Sequence, residues 1–153
     1  MKAMTEEDFK RAVNNITVEL MNHGYKIQKE PPIYSVELGK VLTVGVYCLI
    51  RFQLVHVPDI SMFKVTLIRR RLENFPVEEV RYKPLYMDVL NLLLWFYKKD
   101  IFPPTQYAWK FTDEASLLKQ ITDAQSLVVE YGIPWLEDPM SNIEWVKNPG
   151  GQT

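Results

Sequence analysis

With 153 residues, 47% of them hydrophobic and 24% charged, the chain has the size and composition of one globular domain that buries a core without staples. A net charge of −1 argues against a dedicated binder of nucleic acid or anionic membrane, which carries a basic excess. The single cysteine, Cys48, excludes an intramolecular disulfide framework and suits a reducing, cytoplasmic compartment.

The start, Met1 to Val13, is charged and holds no apolar stretch that would serve as a signal peptide. Thr5 with Asp8 three residues on forms a variant of the capping box, and Phe9, Val13, Ile16, Leu20 and Met21 mark one helical face. Gly24 is a natural stop, so a first helix is expected over residues 6–23. After Pro31-Pro32, Tyr34, Val36 and Leu38 alternate with Ser35 and Glu37, which predicts a short strand turning at Gly39-Lys40 into a long one. In that long strand, 41–56, every even position from Leu42 to Leu54 is apolar, Val44 and Cys48 included, while the odd positions are mixed. One face is therefore core and the other is partly polar. Cys48 falls on the core face, where a free thiol behaves as a small hydrophobe.

Pro58-Asp59 breaks the strand, and Phe63, Val65 and Leu67 alternate with Lys64, Thr66 and Ile68 in a third. A polar stretch, 69–84, follows. Residues 85–99 read as a helix with a buried strand as competitor, because a short apolar run does not settle the period. The run is also far shorter than the roughly 20 residues of a membrane span. Beyond Pro103-Pro104, Tyr107, Trp109 and Phe111 alternate with Gln106, Ala108 and Lys110 as a fourth strand. Thr112 then caps a last helix whose buried stripe is Leu117, Leu118, Ile121, Ala124, Leu127 and Val128, with Gly132 as its left-handed stop. The expected architecture is α+β: one domain over 1–140 and a tail over 141–153, with an antiparallel sheet of about four strands and helices packed on one face.

Little here carries chemistry. His23 and His56 have no ligand-spaced partners, so no metal site is expected, and no cofactor motif occurs. Pro58-Asp59 followed by Glu79-Val80-Arg81 loosely matches a metal-dependent nuclease pattern, but Arg81 stands where such sites need a lysine. No catalytic residue is assigned. The better candidate is the second sheet face, where Tyr47, Arg51 and Gln53 would be joined by Lys64, Thr66, Ile68, Arg70 and Lys110. Such a face suits an acidic partner, or single-stranded nucleic acid through Tyr47, Arg51, Lys64 and Arg70; it also suits plain hydration or cover by the tail or another subunit. Strand alternation would split Arg69-Arg70-Arg71 between faces, with Glu73, Glu78 and Glu79 near enough to neutralise it. The aromatics Trp95, Phe96, Tyr97, Phe102, Tyr107 and Trp109 read first as core.

Trp109-Lys110-Phe111-Thr112-Asp113-Glu114, then Tyr131-Gly132-Ile133-Pro134-Trp135-Leu136-Glu137, together with Gly24-Tyr25 after an amphipathic helix, resemble a family of small bacterial domains of unknown function. The resemblance implies no activity or catalytic residues; such families are similar in size and style to immunity or defence-associated accessory proteins. The motif itself reads as packing, with Trp109 and Phe111 on one strand face and Trp135 folding back on the last helix. The expectation is a cytoplasmic, non-enzymatic protein that binds another protein, with a homodimer left open and neither nucleic acid nor membrane favoured as partner.

Overall fold

The computed structural model describes residues 5–57, 60–71, 85–100 and 108–138. Thr5 caps α1 (Glu6–Ile16) as expected. Its hydroxyl accepts from the Asp8 N–H at 3.1 Å, and the Asp8 carboxylate accepts from the Thr5 N–H at 3.3 Å. The single helix expected over 6–23 is two, because Thr17 interrupts it. This residue sits in a β-branched run, and its buried hydroxyl donates to the Val13 carbonyl at 2.8 Å. In α2 (Val18–Asn22) the helix resumes. An unbroken helix would join the Leu20 N–H to the Ile16 carbonyl. The buried Gln125 side chain serves both groups instead, accepting from the first at 3.2 Å and donating to the second at 3.1 Å. Gly24, at φ 92°, then ends the helix in the left-handed conformation expected of it.

Strands β1 (Lys26–Ile27), β2 (Ser35–Thr43), β3 (Val46–Val57), β4 (Ile60–Arg71) and β5 (Leu85–Asp88) are neighbours in chain order, and each pair is antiparallel. The last strand, β6 (Trp109–Lys110), pairs with Met62 and Phe63 of β4, on the edge that β5 occupies further along. The expected meander is present, with six strands among the described residues rather than about four. The ambiguity over 85–99 resolves as both alternatives in series. Leu85 and Met87 alternate with Tyr86 and Asp88, and Asp88 then caps α3 (Val89–Trp95) by accepting from the Leu90 and Asn91 N–H groups.

Two glycines trade the roles expected of them. The β2–β3 turn lies at Val44-Gly45, with Gly45 at φ 81°, and not at Gly39-Lys40. Gly39 stays inside β2, where a Cβ would stand 2.7 Å from the Gln28 side chain and 2.9 Å from Leu49. Val44, expected on the core face, is consequently exposed in the turn. At the other end, Asp113 rather than Thr112 caps α4 (Glu114–Leu127), accepting from the Ser116 N–H at 2.8 Å. Gly132 is helical, at φ −71°, and stops nothing: a wide π-turn, Val128–Gly132, leads into α5 (Ile133–Glu137). Pro134 has no N–H, and its ring cannot lie against the carbonyl four residues back, so the helix widens ahead of it. Close packing also selects glycine here, since a Cβ on Gly132 would come within 3.3 Å of a Leu67 methyl.

All five described helices contribute buried residues to one core on one face of the sheet. Phe63 lies at its centre, ringed by Phe9, Phe52, Trp109 and Phe111 at 5.9, 6.3, 5.5 and 6.4 Å. Trp109 and Trp135 are buried in it, as the sequence predicts.

Candidate functional site

Strand register sorts the second face into rows. Lys26, Gly39, Leu49, Ile68 and Tyr86 share one row across five strands. Toward the β2–β3 turn the next row is Val41, Tyr47 and Arg70. Away from it come Glu37, Arg51, Thr66 and Asp88, then Ser35, Gln53 and Lys64, then Val55, Met62 and Lys110. From the Tyr47 row to the Lys110 row is eight residues of strand, about 26 Å at the usual rise. The residues expected on this face, Tyr47, Arg51, Gln53, Lys64, Thr66, Ile68, Arg70 and Lys110, do lie on it, but they do not form one cluster. Tyr47 and Arg70 are direct cross-strand neighbours at one end, Gln53 and Lys64 are neighbours nearer the other, and Lys110 stands at the far end.

Their surroundings differ as much as their positions. Arg51 is locked: its Nε donates to Glu37 Oε2 at 2.7 Å, its guanidinium reaches the Tyr86 hydroxyl at 3.4 Å, and both charged side chains are nearly buried. Lys64 is half-buried and its charge favours the Asp88 carboxylate, whose pKa burial raises above the ordinary carboxylate range. Gln53 and Tyr47 are half-buried; Arg70 and Lys110 are exposed. The alternation that splits Arg69 from Arg70 is as expected, with Arg69 wholly buried on the core face.

Sequence reasoning missed what Arg69 does there. It donates to the Leu136 carbonyl at 2.8 Å and the Asp138 carbonyl at 2.9 Å, at the end of α5. A cation among the last carbonyls of a helix satisfies them and suits the negative end of the dipole. Next to it, the Tyr25 hydroxyl donates to Glu137 Oε2 at 2.9 Å, and Lys40 Nζ lies 3.1 Å from both Glu137 oxygens and 5.6 Å above the Tyr25 ring. Cys48 Sγ is 4.0 Å from the Leu136 carbonyl. Burial first, then the charge of Glu137, pushes the Cys48 pKa up to about 11, against Arg69 and Lys40, which pull it down. Burial, helped by Cys48 and Glu137, also raises the Tyr25 phenol far above its ordinary value. Thiol and phenol are both neutral near pH 7. The cluster fastens α5 to the sheet. One signal was available: Arg69 has the parity of Phe63, Val65 and Leu67, and a charge on core parity demands partners.

Aromatic residues near the π-turn are also fastenings. The Tyr97 hydroxyl donates to the Tyr131 carbonyl at 3.3 Å, and the ring of Tyr97 lies 4.8 Å from those of Phe96 and Tyr131. Asp59 and Glu79 of the nuclease pattern, Glu73, Glu78, Phe102, Tyr107 and the tail lie outside the described residues. Among the described residues no three His, Cys, Asp or Glu side chains are grouped to hold a metal, and no helix is long and apolar enough to cross a membrane. No protein-family model matches the chain, and no curated protein or solved structure matches it.

Proposed function

We propose that this chain is a cytoplasmic, non-enzymatic binding protein that works by protein–protein contact through the second sheet face, as an immunity-like or regulatory adaptor. The observation that carries this reading is the asymmetry of the sheet: the described helices pack on one face, while the other, buried along its middle at Ser35, Glu37, Leu49, Thr66 and Ile68, presents Tyr86, Arg70 and Lys110 to solvent around Tyr47, Gln53 and Lys64. Tyrosine and arginine are the residue types that anchor protein interfaces. On the core side Tyr25, Cys48 and Arg69 are buried and the half-buried Lys40 and Glu137 are paired, so these groups are held in packing roles, which favours binding over catalysis. The C-terminal motif supports the same division of labour, since Trp109, Phe111 and Trp135 are buried and Glu137 is held by Tyr25 and Lys40.

A nucleic-acid module using Tyr47, Arg51, Lys64 and Arg70 is the weaker reading, because Glu37 already holds Arg51 and Asp88 is near Lys64. The test is a native pull-down with the tagged chain, read by mass spectrometry and by absorbance ratio. A stoichiometric protein, a second copy included, fits the proposal. Nucleic acid that resists moderate salt overturns it. So does Mg²⁺-dependent nuclease activity lost in Asp59→Ala and Glu79→Ala.

A further inference from the structure

Among the described residues the acids of the second face are engaged and the cations at its turn end are not. Glu37 is spent on Arg51, and the carboxylate of Asp88 accepts from two backbone N–H groups of α3. Both lie on one row. The two rows nearer the β2–β3 turn hold Lys26, Val41, Tyr47, Arg70 and Tyr86 and no acid. Among the described residues no carboxylate pairs with Lys26 or Arg70, and both are exposed. Val41 is 61% exposed and Tyr86 57%, while Leu49 and Ile68 form a buried apolar floor between them. At about 4.8 Å per strand, the Lys26–Tyr86 row spans roughly 19 Å, and the Tyr47 row lies about 7 Å from it. That is the footprint of a short extended peptide. It offers aliphatic and aromatic contact at Val41, Tyr47 and Tyr86, above the buried Leu49 and Ile68, and two positive charges at Lys26 and Arg70.

We infer that this turn-end half of the second face docks an acidic protein segment, one whose carboxylates meet Lys26 and Arg70 while its apolar side chains lie against Val41, Tyr47 and Tyr86. The inference rests on the protein-binding reading above and narrows it to a place and a chemistry. Unpaired cations beside exposed tyrosine and valine give such a segment both electrostatic steering and a contact area. On the rest of the face Glu37 holds Arg51, and the charge of Lys64 acts on the Asp88 carboxylate.

The test is an amide NMR titration of the full chain with three probes: a short peptide alternating glutamate with leucine, its glutamine-for-glutamate analogue, and a short oligo(dT). The expected result is that the acidic peptide shifts the amides of Lys26, Val41, Tyr47, Arg70 and Tyr86. The glutamine analogue should not, and Arg70→Glu should weaken the acidic peptide roughly tenfold or more. Spectra of Arg70→Glu that superimpose on the parent outside the patch establish that it folds, and Lys26→Glu provides a second variant at the other end of the row. No shift at the patch, equal affinity for the glutamine analogue, or tighter binding of oligo(dT) would overturn the inference. A protein captured by the parent chain and retained by both charge-reversed variants would leave the protein-binding reading standing and remove this one.

Discussion

The two faces of the sheet are built from the same strands with the same alternation, yet they use charge in opposite ways. On the helix-covered face a buried arginine, Arg69, spends hydrogen bonds on backbone carbonyls, and Tyr25, Lys40 and Glu137 close around the end of α5. On the other face Arg51 is matched to Glu37, but Arg70 and Lys26 meet solvent. Neighbouring arginines in one strand thus do unrelated jobs because alternation sends them to opposite sides. A buried charge is structural when every polar group around it is answered; an exposed one beside tyrosine and valine is available to a partner.

That contrast can be broken in order of effect. Phe63→Ala empties the centre of the ring cluster and is expected to cost about 3–5 kcal/mol in a denaturant melt, as large-to-small changes in tight cores do. Arg69→Met leaves the Leu136 and Asp138 carbonyls without their donor, for an expected loss of about 2–4 kcal/mol. A neutral result would reduce Arg69 to a packed aliphatic stem.

The Cys48 pKa stands at about 11 in the native state against an ordinary 9.0, so above pH 9 the unfolded chain gives up a proton that the native thiol keeps. Stability present below pH 9 is therefore lost as the pH rises through that window, by on the order of 2–3 kcal/mol. Tyr25 pushes in the same direction. Denaturant melts of parent and Cys48→Ala across that range should converge as the pH climbs, and a pH-independent difference would contradict the buried-thiol assignment. Thr5→Ala, which removes half of the capping box, should cost about 1 kcal/mol. Arg70→Glu should change stability by less than about 0.5 kcal/mol, as substitutions away from packed features do.

Much of this was legible from residue pattern, and the failures share a cause. Faces were readable because parity needs only the strand's period: Ile50, Phe52, Phe63, Val65 and Leu67 are core as expected. Register was not readable, because it depends on where the turn falls. A turn at Gly39-Lys40 would set Glu37 opposite Leu42; the turn at Val44-Gly45, with the bulge between Val41 and Thr43, sets it opposite Arg51, and so makes the ion pair that disarms the centre of the candidate site. The residue pattern predicts the turn at Gly39 and leaves Gly45 inside the strand; the fact that keeps Gly39 in β2, Gln28 and Leu49 crowding it, is tertiary. Gly24 was legible as a stop because nothing overrides it. Gly132 was not, since its reason is Leu67 in a distant strand. The break at Thr17 is likewise held open by Gln125, more than a hundred residues on.

The central claim is that the turn end of the second face recognises a protein. The most direct measurement is quantitative capture by the tagged parent and by Arg70→Glu in parallel, with thermal melts of both. The account expects a stoichiometric protein bound by the parent, lost from the variant, and superimposable melts. Equal capture by the two, or nucleic acid in place of protein, would contradict it.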